Sequence, residues 1–324
     1  MRYGRITINL VLLIVIVAFA FLAFWKYDNY SGPLLSGIVE FSNSDSKEEY
    51  EETLATYFDP EPTWKPTKKN GTSNQPEIIG KAAVLIDINS GDILYEENAS
   101  KKMRIASLVK IMTAVIALEH KDINDKIYVT NHAGEIGENS MGITPGEVYT
   151  LEELLYGLVL HSGNDAAYAI AEGVAGDDKR FIEWMNYKAE EIGLGNTHFE
   201  DPSGLDDKTY STAIDLVKLT RYALKNPDFR EIVKTVEHEI YSDEDNKYLY
   251  LYNQTNLLTT YPGVAGVKTG FTEEAGLCLV TYAENEGKEV VGVVLNSVDR
   301  KGDMILMLDH AYATLGIDIS HSLL

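Results

Sequence analysis

The stretch RIASLVKIMTAVIALE, Arg104 to Glu119, decides how the rest of the chain is read. Leu108, Ile111, Met112, Val115, Ile116 and Leu118 recur at helical spacing and predict an amphipathic helix. Ser107 and Lys110 stand three residues apart at its start, on one face. A serine in a first helical turn sits among unpaired backbone N–H groups at the positive end of the dipole, which favours a developing alkoxide or oxyanion. A neighbouring lysine, if its pKa is lowered enough to be neutral, takes the hydroxyl proton. The S-x-x-K spacing is not distinctive alone, since Ser44 and Lys47 repeat it in a polar segment. The remainder of the chain has to separate a catalytic pair from a helix cap beside a solvated lysine.

At 324 residues and 45% hydrophobic content, the chain can hold one large domain or two small ones. A net charge of -22, from 50 acidic and 28 basic residues, argues against nucleic acid as a partner. The single cysteine, Cys278, excludes an intrachain disulfide and, within the apolar run Leu277 to Val280, reads as a small buried residue. Ile6 to Trp25 is a nearly unbroken apolar run behind Arg2 and Arg5. Residues 1–25 therefore read as a single-pass signal-anchor that leaves the rest of the chain on the extracytoplasmic side of the cell membrane; cleavage near Ala18 or Ala20 would instead release a secreted protein. Residues 26–76 are polar and acidic, with Glu48, Glu49, Glu51 and Glu52 clustered and prolines at 60, 62 and 66. They read as a linker able to reach more than about 100 Å when extended, with a short helix possible at Tyr50 to Phe58.

The folded domain is expected at 77–318, with a tail at 319–324. Ala82 to Ile88 and Asp92 to Glu96 are β-prone runs joined at Asn89-Ser90-Gly91, a hairpin signal. Lys126 to Thr130 predicts a short strand, and Thr150 with Glu152 and Glu153 opens a helix to about Leu160. Helices are predicted from about Asp165 to Val174, Lys179 to Ile192 and Thr212 to Leu224. Strands follow at Thr235 to Tyr241, Tyr248 to Asn253, Leu277 to Glu284 and Glu289 to Asn296, then a last helix over Gly302 to Leu315. Strands at both ends with helices between predict an α+β fold. Its antiparallel sheet pairs the N-terminal hairpin with C-terminal strands and is flanked by helices, with an inserted all-helical region.

Two further triplets stand at predicted element boundaries: Ser162-Gly163-Asn164, where two helices meet, and Lys268-Thr269-Gly270, where a strand meets a loop. Taken singly, the first also reads as the cap of the helix near Asp165 and the second as a strand end and turn. S-x-x-K, S-x-N and K-T-G in this order resemble the signature set of the penicillin-interacting serine enzymes. Within that superfamily the chain most closely resembles the low-molecular-weight D-alanyl-D-alanine carboxypeptidases. The likeness runs through SLVKIMTAVIALE, SMGITPGEVYTLEELLYGLVLHSGNDAA, NTHFEDPSGLDD, YSTAIDLVKLTRYAL and YPGVAGVKTGFTEEAG.

The resemblance implies a β-lactamase/transpeptidase-like fold and a role for each motif residue. Ser107 is the implied nucleophile toward the penultimate D-alanine carbonyl, and Lys110 its general base. Ser162 passes a proton toward the leaving amine, while Asn164 bonds Lys110 and the substrate amide. Lys268 supplies positive charge near the terminal carboxylate, Thr269 and Thr272 bond that carboxylate, and the backbone N–H groups of Ser107 and Phe271 form an oxyanion hole. Gly270 keeps the strand edge open to substrate. The implied partners are peptidoglycan stem peptides ending in D-Ala-D-Ala, with β-lactams as covalent inhibitors and no metal or cofactor. Val109 and His161 depart from the residues common in the family, without touching a catalytic role. The chain stops soon after its last helix, where many relatives add a small β-domain and a C-terminal amphipathic helix, so the N-terminal segment is the expected anchor. Arg300 lies near, but does not clearly align with, an arginine that assists carboxylate binding in some relatives, and it is left out of the expected site.

Competing readings are a DD-endopeptidase, a serine β-lactamase and a catalytically silent wall-binding protein. No E-x-x-L-N segment, the source of the deacylating glutamate in class A β-lactamases, occurs between Ser162 and Lys268. All expected side chains are present, which gives no support to silence. His161 adjoins Ser162, but neighbouring side chains do not face each other and no G-x-S-x-G elbow is present. His120, His132 and His198 are scattered without H-E-x-x-H, which argues against a zinc peptidase.

Overall fold

Valines at 290, 291, 293 and 294 with Leu295 crowd one ten-residue run, a composition that suits a strand covered on both faces. In the computed structural model this run is the centre of a sheet. Residues 43–54, 64–68, 75–242 and 247–323 are described. The expected anchor at 1–25, most of the expected linker and residues 243–246 lie outside them. Contacts divide the chain into Met1–Asp45 and Ser46–Leu324, and the architecture below is that of the second unit. No helix among the described residues is long and apolar enough to cross a membrane.

The sheet consists of β1 (Ala82–Asp87), β2 (Asp92–Glu97), β3 (Val264–Thr272), β4 (Gly276–Asn285) and β5 (Lys288–Ser297), in the order β2-β1-β5-β4-β3. All these neighbours are antiparallel, and Val84 opposite Val293 joins the N-terminal hairpin to the C-terminal strands as expected. Alternation divides the side chains between two cores. Val84, Ile86, Val291 and Val293 face the helical region, whereas Ala83, Leu85, Val290 and Val294 face the last helix.

The helices of eight residues or more are α1 (Asn43–Glu52), α2 (Lys110–His120), α3 (Leu151–Val159), α4 (Asn164–Ala175), α5 (Asp178–Glu191), α6 (Ala213–Ala223), α7 (Pro227–Lys234) and α8 (Arg300–Leu315). Thr150 caps α3 in a full capping box with Glu153, and Thr212 caps α6. The expected amphipathic helix is corrected in two ways. Every residue of α2 is buried, so it is a central helix rather than a surface one. It also starts at Lys110, because Ala106–Val109 form a separate 3-10 turn. The polar residues of α2 have partners inside: Glu119 accepts from the Tyr222 hydroxyl and lies 3.0 Å from Lys188 Nζ.

The described parts of 26–76 pack on the domain, which corrects the reading of that whole segment as a free linker. Tyr50 is buried and donates to Glu191 at 2.9 Å, Trp184 donates to the Ser46 carbonyl at 3.1 Å, and Arg180 meets Glu49 at 3.0 Å. Thr67–Lys68 adds a parallel strand beside β2. At the other end, Ile319 and Leu323 pack on the second core and His321 bonds Asp309 at 2.8 Å, so 319–323 belongs to the domain rather than to a tail. α7 was not expected, although Asn226 caps it and Pro227 occupies its first turn.

Lys188 is fully buried between Glu119 and Glu191, 3.0 and 2.9 Å away. Lys188→Met leaves the buried Glu119 carboxylate without its cation. A loss of about 3–5 kcal/mol is expected, measured as a lower urea midpoint at unchanged slope.

Candidate active site

The strand Met103–Arg104 pairs with Tyr210–Ser211 and delivers the chain into the 3-10 turn that carries Ser107. Ala106 at the head of that turn has φ 47°, a left-handed conformation rare for alanine. One turn on, the fully buried Lys110 directs Nζ to Ser107 Oγ at 3.0 Å, Asn164 Oδ1 at 2.8 Å and the Ser203 carbonyl at 2.6 Å. Burial brings the Lys110 pKa down to about 7, against the opposing pull of Asp201 and Asp165. An amine with that pKa is substantially neutral at physiological pH and can accept a proton from the adjoining hydroxyl.

Ser162 and Asn164 lie at the α3–α4 junction. Ser162 has φ 62°, and Gly163 is the N-cap of α4 without a side-chain cap bond. Neither motif residue is therefore a helix cap, the alternative left open by the sequence. Asn164 Nδ2 donates to the Gly137 carbonyl at 3.3 Å while its Oδ1 accepts from Lys110.

The opposite wall is β3. Ser107, Ser162, Asn164, Thr269, Gly270, Phe271 and Thr272 line one cleft of about 630 Å³. Lys110 and Lys268 stand behind its surface. Lys268 Nζ donates to its neighbour's carbonyl, Thr269 O, at 3.3 Å, and its pKa is pushed well down by burial, then by Lys110 and Arg300. Thr272 Oγ1 donates to Asp207 at 3.2 Å and accepts from Ala275 N. A larger hollow of about 890 Å³, lined by Trp64, Lys218 and Arg221 among others, contains no serine–lysine pair.

Two glycines hold the nucleophile turn against this wall. A Cβ on Gly270 would stand 3.0 Å from the Ile105 carbonyl and 3.2 Å from Ser107 N, so the steric demand there comes from the nucleophile turn. A Cβ on Gly204 would come within 2.1 Å of the Ala106 carbonyl. The loop bearing Gly204 is organised by buried Asp201, whose carboxylate accepts from Ser203 N, Gly204 N and Asp206 N at 2.5 to 2.7 Å. Its Asp201-Pro202-Ser203-Gly204 run was readable as a turn, but nothing local announced that Ser203 O would face Lys110.

The family profile described as D-alanyl-D-alanine carboxypeptidase matches residues 69–299. The chain belongs to this carboxypeptidase family. D-alanyl-D-alanine carboxypeptidase DacF of Bacillus subtilis is 36% identical over 242 residues, covering 72% of this chain and 62% of DacF. The chain thus spans under two thirds of that relative's length. The D-alanyl-D-alanine endopeptidase of Escherichia coli is 31% identical over 249 residues, covering 75% of this chain and 79% of the relative. The crystal structure of the Streptomyces K15 DD-transpeptidase aligns with TM-score 0.70 at 32% identity, over 74% of this chain and all of that one.

Arg300, outside the expected site, lines this cleft. Its Nη1 donates to the Gly270 carbonyl at 2.8 Å and to Cys278 O at 3.2 Å, so the guanidinium is braced by β3 and β4. Glu138, Asn139, Gly204, Leu205 and Gln254 are the other lining residues without an assigned role in the sequence.

Gly204 combines φ +88° with the 2.1 Å approach, so Gly204→Ala strains the backbone and displaces the nucleophile turn. A loss of about 2 kcal/mol or more in urea unfolding is expected.

Proposed function

We propose that this family member is a serine D-Ala-D-Ala carboxypeptidase that trims peptidoglycan stem peptides, held at the membrane by residues 1–25 with its catalytic domain on the extracytoplasmic side. The observation that carries the reading is the buried Lys110 amine 3.0 Å from Ser107 Oγ, inside a cleft with a cation at its edge. The membrane part rests on the apolar run behind Arg2 and Arg5.

The substrate's terminal carboxylate is received by Arg300, Thr269 and Thr272, with Lys268 buried beneath the strand behind them. Neutral Lys110 takes the Ser107 proton as Oγ attacks the penultimate carbonyl. The oxyanion forms against the backbone N–H groups of Ser107 and Phe271. Ser162 passes a proton to the departing D-alanine amine, leaving an acyl-enzyme on Ser107, and Asn164 keeps Lys110 aimed and bonds the substrate amide. Water then resolves the ester. The same acyl-enzyme forms when the leaving amine belongs to a cross-linked peptide, and the endopeptidase name of one relative makes cross-linked muropeptides the second substrate class to assay.

Full-length protein incubated with a diacyl-L-Lys-D-Ala-D-Ala tripeptide should release D-alanine, and Ser107→Ala should release none. Activity retained by that variant removes Ser107 from the mechanism.

Penicillin should add one covalent adduct to the parent and none to Ser107→Ala, seen by intact mass. The adduct should persist for minutes or longer, since no deacylating glutamate is recognisable.

The acylation rate also has a predicted pH dependence. Lys110 must be neutral to accept the proton, so the rate should climb about tenfold per pH unit below the Lys110 pKa. It should level off above about 7. A rate independent of pH between 5 and 9 would exclude Lys110 as the base.

A further inference from the structure

Four of the nine large hydrophobic side chains that stand exposed among the described residues, Tyr241, Tyr248, Tyr250 and Tyr252, share one face of one hairpin. Its strands are Glu237–Ser242 and Lys247–Tyr252, antiparallel, with Tyr241 opposite Tyr248, Glu239 opposite Tyr250 and Glu237 opposite Tyr252. Alternation assigns these six side chains to the outer face. The inner face is committed to the domain: Ile240 and Leu251 are buried, and His238 stacks on Tyr156 of α3 at 3.7 Å. A ribbon covered on one side ordinarily turns polar residues outward. Here the four outward tyrosines remain 49 to 61% exposed, an aromatic patch that packing does not explain.

The patch is also held in place. Lys247 Nζ bonds both Glu147 oxygens at 2.7 Å at one end of the hairpin, and Asn253 N donates to the Val236 carbonyl at 2.8 Å at the other. Tyr250 donates its hydroxyl to Glu237, its diagonal neighbour across the strands, and Glu239 stands in the same diagonal relation to Tyr248. Tyr248, Tyr250 and Tyr252 form a row about 14 Å long at the usual strand rise. That row is longer than a single sugar ring.

The chemistry of this face selects among partners. Aromatic faces are electron-rich and attract weakly positive C–H groups such as those on the flat side of a pyranose, while carboxylates accept from sugar hydroxyls. No lysine or arginine is among the six outer residues, so the face does not attract an anionic membrane or polymer. A two-fold contact with a second copy would crowd Glu237 and Glu239 with their duplicates. Position supplies the remaining argument. Beyond Tyr252 the chain passes through buried Asn253 to Gln254, which lines the catalytic cleft and donates to the His161 carbonyl at 3.0 Å. The tyrosine face is thus continuous with the cleft.

We propose that this tyrosine–glutamate face is a second binding site, outside the cleft, for the amino-sugar glycan strand from which stem peptides hang. The choice of glycan rests on the carboxypeptidase reading, whereas the chemistry of the face itself asks only for pyranose rings. Its role is to hold the polymer beside the cleft, with no part in the chemical step.

The test titrates full-length protein calorimetrically with glycan strands freed of their stem peptides by an amidase. The parent should bind. Tyr248→Thr, Tyr250→Thr and Tyr252→Thr, each keeping a residue suited to a strand, should bind about three- to tenfold more weakly. Tyr250→Phe keeps the ring and should stay within about twofold of the parent. Urea midpoints check that each variant is folded. D-alanine release from the soluble tripeptide should be unchanged in all four variants, whereas release from intact peptidoglycan by the threonine variants should fall through a raised KM. No binding by the parent, or binding undiminished in all three threonine variants, overturns the site. Concentration-dependent dimerisation that Tyr250→Thr abolishes would assign the face to a second copy and overturn it as well. Should the parent release no D-alanine from the tripeptide, the carboxypeptidase reading fails, while the titration with peptide-free glycan still decides this site.

Discussion

The structure depends on one buried amine. Lys110 Nζ is shared among Ser107 Oγ, Asn164 Oδ1 and the Ser203 carbonyl, and the last two lie 54 and 93 residues along the chain. Three separate segments therefore converge on one nitrogen. A neutral primary amine removed from water needs two acceptors and one donor, and the Asn164 oxygen, the Ser203 carbonyl and the Ser107 hydroxyl supply them without placing a carboxylate in contact. A directly paired carboxylate would have kept the amine protonated. Neutral acceptors instead let desolvation dominate, which is why the shift runs downward to about 7.

The two carboxylates close enough to oppose that shift are engaged elsewhere. Asp201 accepts from Ser203 N and Oγ, Gly204 N and Asp206 N. Asp165 accepts from Ser140 Oγ and the N–H groups of Met141, Gly142 and Ile143. Each buried aspartate organises a loop that adjoins the cleft, one presenting Ser203 O and the other lying beside the Glu138–Asn139 segment. Anions whose oxygens are saturated by backbone donors shape the walls of the site while exerting only a partial hold on the base. Site shape and site electrostatics thus rest on the same few side chains.

Much of this was legible in sequence. Aliphatic runs specified the sheet and its pairing of chain ends, Thr150 and Thr212 marked helix starts, and the three motifs converge in space, although Lys268-Thr269-Gly270 lies inside β3 rather than where a strand meets a loop. What was not legible depended on tertiary contact. The left-handed φ of Ala106 has no glycine or asparagine to signal it, so the nucleophile turn reads as the first turn of a helix. α2 shows helical periodicity, yet its polar members Thr113, Glu119 and His120 find their side-chain partners only far along the chain. α1 is a run of charges around a single Tyr50, and the aromatic cluster that captures it, Trp184 and His120, is assembled from two other helices. Arg300 enters the site because the start of α8 lies beside β3 and β4, a matter of register rather than of local pattern. The Asn226-Pro227-Asp228 start of α7 carries the capping signals of a helix start in its own sequence.

A base produced by desolvation works only while its pocket stays dry, and this ties catalysis to packing more closely than a charge-paired base would. Gly204 and Gly270 let the Ala106–Ser107 backbone close over the amine, at approaches that would place a Cβ 2.1 Å and 3.0 Å from carbonyl oxygens. Thr113, one turn beyond Lys110, donates to the Pro202 carbonyl at 2.6 Å and seals the pocket from the helix side. Any change that loosened these contacts would admit water to Nζ, raise its pKa toward the ordinary lysine range and return the base to its protonated form. The nucleophile, by contrast, must stay open to the cleft. The 3-10 turn reconciles the two demands, since it advances Ser107 to the cleft wall within one turn of a lysine that remains wholly inside.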